Sequence, residues 1–313
     1  MKKIVLFLLV MLMITRGYAQ TQNNSRHYKK TVVNNHVFPT VNGMKSAFVV
    51  TSLWSDFSVG TTSVITVPGF EFDSVTTDPV YGSIVFADVF VNYEQRFRPW
   101  LSIYFSYGFS GRYGTDVFSL LYDGLNTVNG GATGWHIRVL NRKKMILSTH
   151  IYVQQLSGSF VSISKFIDEL INDNPNPSVV SNVPSLGLGN SWEIAYAFSQ
   201  TWGIQATLDL MYGETFIRGK SGVIYSLDVA GDADLYPKLN VPLGFVMGYN
   251  LAGNPEVMMD KEGHTNMLFF KLNYTGSPDF EIGLQSTWYR FKVSQDDEMT
   301  GVFRSTFNFR FYF

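Results

Sequence analysis

The sequence predicts an all-β chain folded as an antiparallel transmembrane β-barrel of about 12 strands, with about 14 as the alternative and a short helix in an outer loop. Three observations predict it. Apolar and polar residues alternate with a period of two in segment after segment, the mark of strands with two unlike faces. Charged residues make up only 16% of the chain and aromatic ones another 16%. Soluble domains carry about 25% charge, so some of this surface has to meet something other than water. The closing segment 303–313 puts phenylalanine at 303, 307, 309, 311 and 313, a face that a soluble edge strand could not expose without aggregating.

The segment 44–56 is the first candidate strand. Val85, Ala87, Val89, Val91, Tyr93 and Phe97 then oppose Asp88, Asn92, Glu94, Arg96 and Arg98, and the turn Arg98-Pro99-Trp100 leads into the alternation of Leu101 to Tyr113. Noisier candidates lie at 132–141, 146–158 and 222–230. Between them stand the clear pair 186–198 and 204–212, joined by Gln200-Thr201-Trp202-Gly203. The strand at 241–251 carries Pro242 at its start, where a missing N–H is tolerated. Segments 268–274 and 280–288 make a hairpin around Thr275-Gly276-Ser277-Pro278-Asp279, and 303–313 closes the set. Strands hidden in 58–70 and near 28–37 would raise the count to about fourteen. If Phe313 ends at the periplasmic face, the short connections 98–100, 142–145, 200–203 and 276–279 share that face. The long segments 57–82, 114–131 and 159–184 then fall outside, the asymmetry expected of such barrels. Ser164–Asp173, with apolar residues at 166, 167, 170 and 171 and prolines at 175 and 177, reads as the loop helix, either capping the mouth or packing on the rim.

Lys2, Lys3, the apolar run Ile4–Ile14 and Gly17-Tyr18-Ala19 before Gln20 read as a cleavable export signal over 1–19. The run is well short of the ~20 residues that cross a bilayer as a helix. Residues 20–43 are expected to form an N-terminal periplasmic segment and 44–313 the barrel, with no linker dividing them. The absence of cysteine excludes a disulfide framework, a thiolate metal site, a Cys nucleophile and a lipidated anchor. Without the signal the chain keeps 21 Lys+Arg against 25 Asp+Glu, a balance with no basic stripe for nucleic acid.

Alternation alone also fits a soluble sandwich or barrel, in which one strand face is buried in an apolar core. The polar faces here are rich in Ser, Gly, Thr, Asn and Gln relative to Lys and Glu, which suits a confined lumen. Asp88, Glu94, Arg96, Arg98, Arg138, Glu193, Asp209, Lys271, Glu281, Arg304 and Arg310 lie on those faces. Lipid would cost each Arg or Lys among them roughly 2–4 kcal/mol at the midplane, so all are assigned to the lumen. His136 and His150 join them from adjacent strands, either as lumen hydrogen-bonding partners or as a metal or proton-transfer pair. Such a lumen is either a polar pathway with a mixed-charge constriction or a closed interior filled by mutual salt bridges. About twelve strands leave both open, between eight that are filled and 16 to 18 that leave a channel. Asp232 and Asp234, and Asp296-Asp297-Glu298, read as solvated turns, with Ca²⁺ binding as the alternative. No nucleophile, base and orienting group stand in a recognisable constellation. No catalytic residue, metal or cofactor is therefore assigned.

Phe307, Phe309, Phe311 and Phe313 resemble the C-terminal insertion signal of bacterial outer-membrane proteins. The resemblance implies residence in the outer membrane, outer-membrane lipid around the wall, and the barrel-assembly machinery as a partner. The Ala-Gln end of the signal and the Tyr/Phe-rich strands look like outer-membrane proteins of Bacteroidota. The overall plan resembles the small transporter-like barrels of the fatty-acid and aromatic-hydrocarbon channel group, which implies a passive channel or transporter for a small solute. Thr21–Val41 lacks the Asn-Pro-Ala hatch motif of the fatty-acid channels. The alternatives are a closed structural or surface-interaction barrel and an outer-membrane lipid hydrolase. The hydrolase resemblance would want a His-x-Ser near an Asn-Gly, where this chain has Gly263-His264-Thr265-Asn266.

Overall fold

The computed structural model describes residues 31–67, 71–72, 75–76, 80–113, 124–161, 166, 169–172, 176–214, 221–255, 262–277, 279–292 and 299–313. Twelve antiparallel strands close into one barrel. They are β1 (Ser52–Thr62), β2 (Val85–Arg98), β3 (Leu101–Tyr113), β4 (Gly124–Arg142), β5 (Met145–Val161) and β6 (Val180–Ala197), followed by β7 (Trp202–Glu214), β8 (Ser221–Asp234), β9 (Leu243–Pro255), β10 (Glu262–Tyr274), β11 (Phe280–Lys292) and β12 (Met299–Tyr312). Every strand pairs with its chain neighbours, and β12 closes on β1 with Phe303 opposite Thr61 and Phe311 opposite Leu53. Closure leaves no edge of unpaired N–H and C=O groups, which hydrocarbon could not satisfy.

The connections 99–100, 143–144, 198–201, 235–242 and 275–279 fall at the end of the barrel that carries Phe313. Pro99, Lys143 and Lys144 lie in two of them. A third holds the one-turn helix α1 (Tyr236–Leu239), started by Pro237 and ended by Asn240 at φ 54°. The long connections lie at the opposite, loop end. In the segment read as a loop helix, the described residues Phe166 and 169–171 are helical, and Leu170 and Ile171 are exposed.

The predicted strands are present, with three differences. First, the strand expected over 44–56 begins only at Ser52. Second, the noisy candidates run longer than their alternation, to Gly124–Arg142, Met145–Val161 and Ser221–Asp234, because glycines and serines on the inner face blur the period without weakening the ladder. Third, the extra strands that would make fourteen do not join the wall. Ile65–Val67 pairs with Val80–Gly82 in a hairpin of its own, and Val32–Val33 pairs with His36–Val37.

Parity along the strands decides what faces where. Val89, Phe105, Leu188, Leu208, Leu284 and Phe307 turn outward and are exposed, whereas Glu94, Ser102, His136, Ser191, Gln285 and Thr306 turn inward and are buried. This inverts a soluble barrel, whose bulky apolar residues fill the interior, and matches a wall surrounded by lipid. On β12 the reading holds residue by residue: Phe303, Phe307, Phe311 and Phe313 are exposed, while Thr306, Asn308, Arg310 and Tyr312 are buried. Phe309 stacks on Phe57 of β1 at 6.1 Å, sealing the junction of first and last strands.

Leu208, outward at mid-strand, tests this inversion. Leu208→Arg is expected to cost about 2–4 kcal/mol of barrel stability in lipid vesicles. The same change at Leu239, exposed on α1 beyond the wall, is expected to stay within about 0.5 kcal/mol; denaturant titration of both variants makes the comparison.

Candidate functional site: a plugged lumen

The lumen is not lined by the wall alone. Residues 31–51 enter at the Phe313 end, run inward to Lys45 and return to Ser52, occupying that half of the barrel. The 31–43 part of the segment expected in the periplasm therefore lies inside the wall, as do 44–51, expected as strand. The segment starts with a tight hairpin, Val33 opposite His36, whose central residues Asn34 and Asn35 have φ of 52° and 62°. Two successive positive φ values define a type I′ turn, which asparagine tolerates well. The hairpin sends His36 and Phe38 against the wall, where both are fully buried. The wall meets them with Gly203, at which a Cβ would stand 2.5 Å from Phe38 Cε1 and 2.6 Å from His36 Nε2. Glycine is needed at Gly203 for lack of space.

Polar groups anchor this plug at three levels. Nearest the Phe313 end, His36 bonds the Asp232 carboxylate through Nε2 and sits 3.1 Å from Gln200 O through Nδ1. Next, Glu281 Oε1 accepts from Thr40 N at 2.9 Å, Thr40 Oγ1 at 2.7 Å and Lys271 Nζ at 3.0 Å. Its Oε2 accepts from Tyr312 Oη at 3.0 Å. Lys271 also donates to Thr40 O, so one buried pair holds both backbone polar groups of Thr40. Asn42 continues the pattern, donating from N to Gln285 Oε1 at 3.0 Å. At mid-strand, Lys45 Nζ lies 2.6 Å from Asp209 Oδ2 and 3.8 Å from the centre of the Tyr152 ring. Tyr152 Oη donates to the same carboxylate, 2.9 Å from Oδ1. Apolar contacts fill between the anchors: Phe38, Phe48 and Val50 pack with Ile146, Ala195 and Tyr312, while Val41 and Met44 pack with Ala230, Val246 and Phe269.

Beside the plug, a second polar cluster crosses the lumen. The imidazoles of His136 and His150 stack at 3.8 Å and 18°. His136 Nδ1 lies 2.8 Å from Glu94 Oε1 and His150 Nδ1 lies 2.9 Å from Glu193 Oε1. Ser102 supports Glu94 and Ser191 supports Glu193, and Arg310 Nη2 reaches Glu94 Oε2 at 3.6 Å. His136, His150 and Glu193 hold ligand-type atoms within 4.8 Å of one another. Nearly parallel rings are poorly placed to aim both in-plane lone pairs at one ion, and each imidazole stands against its own carboxylate instead. Beyond Lys45, toward the loop end, a cavity of about 190 Å³ opens between Tyr152, Gln154, Asp209, Met211, Ile224, Tyr225 and Ser226.

The structure brings Glu94, His136, His150, Glu193 and Arg310 together, and Lys271 with Glu281, all buried inside. Asp88 and Arg304 pair at 3.7 Å with about a fifth of each side chain exposed. Arg96, Arg138 and Asp209 are half-buried. Arg98 departs from the expectation: a register shift between Arg96 and Arg98 puts it opposite Leu101, and it is exposed at the rim rather than in the lumen. A bulge of this kind adds one residue and reverses the parity on which the assignment relied. The reading of Asp232 and Asp234 as solvated turns is also overturned. Both are buried, Asp232 on His36 and Asp234 accepting from Thr275 Oγ1 at 2.9 Å. The acidic run 296–298 lies outside the described residues, and so does the side chain of His264. Residues that sequence reasoning passed over include the whole plug with Lys45, and Gln285, Asp228 and Asp56 on the inner wall. Nothing local in the sequence marks a partner entering from another part of the chain.

No protein-family model matches the chain, and no curated protein is similar to it in sequence. Among solved structures, it is similar to an outer-membrane channel of Pseudomonas putida F1 at 12% identity, covering 88% of this chain and 100% of that one with a TM-score of 0.50. It is similar at lower TM-scores to the NanC porin (0.46, 7% identity, covering 82% of this chain and 100% of that one) and to the P. putida toluene transporter TodX (0.42, 9% identity, 84% and 90%). At such identity the first of these supports the fold, a closed outer-membrane type of barrel, and nothing finer.

Glu281→Ala leaves the buried Lys271 ammonium without its counter-charge and Thr40 without its acceptor. It is expected to cost about 3–5 kcal/mol, the scale of breaking a buried pair from one side. Replacing both partners by apolar residues, Glu281→Leu with Lys271→Met, is expected to recover at least half of that loss, since no buried charge remains; unfolding midpoints of the three proteins decide.

Proposed function

We propose that this protein is an outer-membrane channel for a small solute, shut on the periplasmic side by its own N-terminal segment. One observation carries the reading. Residues 31–50 occupy the lumen at the Phe313 end, and their one hairpin joins no ladder of the wall. Side-chain hydrogen bonds, apolar contacts and the Lys45–Asp209 pair hold them instead. A segment outside the sheet can shift without breaking a ladder, so a passage opens at a cost of individual contacts rather than of the barrel. The cavity over Lys45 supports entry from the loop end. The mixed charges of Asp88, Arg304, Arg96, Arg138, Glu94 and Asp209 would line the passage once the plug moves. The similar fold of the P. putida F1 protein, itself an outer-membrane channel, agrees with this reading.

The location belongs to the same proposal. Residues 1–19 act as the export signal, the Phe313 end faces the periplasm, and outer-membrane lipid surrounds the apolar face. The Phe307, Phe309, Phe311 and Phe313 side chains are read by the assembly machinery. A Bacteroidota origin and kinship with transporters of apolar solutes belong here too, on the sequence resemblances alone.

Planar-bilayer recording tests the function. Full-length protein is expected to conduct weakly, and a variant lacking 32–48 to conduct several-fold more per channel. If both stay silent, the channel reading fails and a closed structural barrel takes its place. The location has its own test: removing Phe313 should leave export intact but reduce heat-modifiable barrel in the outer membrane several-fold. Normal assembly without Phe313 would rule out the insertion-signal reading.

A further inference from the structure

We infer that the cavity above the plug is a binding site for a small organic cation, an ammonium carrying a short apolar group, which replaces Lys45 on Asp209 and the Tyr152 ring. The site already holds an ammonium. Lys45 Nζ makes an ion pair with Asp209 Oδ2 at 2.6 Å and stands over the Tyr152 ring at 3.8 Å, the two contacts by which proteins recognise alkylammonium groups in general. Tyr152 Oη, bonded to both oxygens of Asp209 at 2.9 and 3.0 Å, fixes the carboxylate and the ring in one arrangement. Receptor and cation are therefore preorganised, and the cation is the one movable part, since it belongs to the plug.

Four further features select the ligand. The Lys45 and Asp209 side chains keep 25% and 26% of their area exposed, so an incoming cation can reach the pair without unfolding anything. Asp228 adds to Asp209 in attracting this ammonium, which favours cations and repels carboxylates. Met211 and Ile224 line the cavity beside the carboxylate, with Ser226 as a polar neighbour, so an apolar group attached to the ammonium is accommodated. At about 190 Å³ the space falls below the roughly 300 Å³ at which ordinary ligand pockets begin, so the apolar group has to be short. Displacing Lys45 removes the anchor of the plug farthest from the Phe313 end, while His36 and Thr40 stay bonded. The consequence for passage rests on the plugged-channel reading; the binding itself does not.

Butylammonium is the probe, titrated calorimetrically into the detergent-solubilised full-length barrel alongside 1-butanol and butyrate. Butylammonium is expected to bind and the other two are not. Lys45→Met, which vacates the carboxylate but keeps the side-chain volume, should bind butylammonium at least tenfold more tightly than wild type. Asp209→Asn should bind it at least tenfold more weakly. Tyr152→Phe keeps the ring but frees the carboxylate, and should lose about threefold; it serves as the second variant if Asp209→Asn does not assemble. Equal affinity in wild type and Lys45→Met overturns the proposal, as does butanol binding as tightly as butylammonium, or no binding to Lys45→Met. These titrations read no current. A barrel silent in bilayers can still bind the amine, and a barrel that ignores the amine can still open when 32–48 are removed.

Discussion

Glu281 is where the barrel and its plug become one structure. Its carboxylate takes four hydrogen bonds, from Thr40 N and Oγ1 on the plug, Lys271 on β10 and Tyr312 on β12. It thus ties the N-terminal segment to the strand that closes the wall. Buried charges are tolerated only when paired and further hydrogen-bonded, and Lys271 completes the account by donating to Thr40 O. The packing around the pair leaves little freedom: a Cβ on Gly283 would stand 2.3 Å from Lys271 Cε. The other anchors, His36 on Asp232 and Lys45 on Asp209, extend the same principle on either side. The further an anchor lies from the Phe313 end, the more exposed it is, from fully buried at His36 to a quarter exposed at Lys45.

That gradient gives the molecule a direction. At the Phe313 end the lumen is dense, with two apolar clusters between plug and wall and the stacked His136–His150 pair alongside. Toward the loops it widens into a cavity lined by Asp209, the partner of Lys45. A barrel of this size stands between those filled by their own side chains and those wide enough for an aqueous pore, and here the N-terminal segment supplies the filling. The filler is held by side chains rather than by the ladders of the sheet.

Much of the wall was legible from alternation. Leu101–Tyr113 and Phe303–Phe313 have the faces their sequences indicate, since a period of two in a closed sheet admits only inside or outside. Arg98 shows where the method stops: one bulge after Arg96 reverses parity, and no residue type announces it. Residues 44–51 show a second limit. Ala47, Phe48, Val49 and Val50 form an apolar run that reads as strand, but all four are buried within the lumen, the first two and Val50 against Ile146, Ala195 and Ala197. A short apolar run signals burial without saying in what. Asp232 and Asp234 looked like solvated turn residues because their partners, His36 and Thr275, are distant in the chain.

The sequence by itself determined the class of fold and the polarity of its two faces. Side-chain alternation is local, and charges on one face with phenylalanines on the other leave lipid outside and a polar lumen within. Only the tertiary structure decided what occupies that lumen. The plug, the Glu281 anchor, the stacked histidines and the Lys45–Asp209 pair each join residues from separate parts of the chain. Their geometry exists only once the twelve strands have closed around residues 31–51.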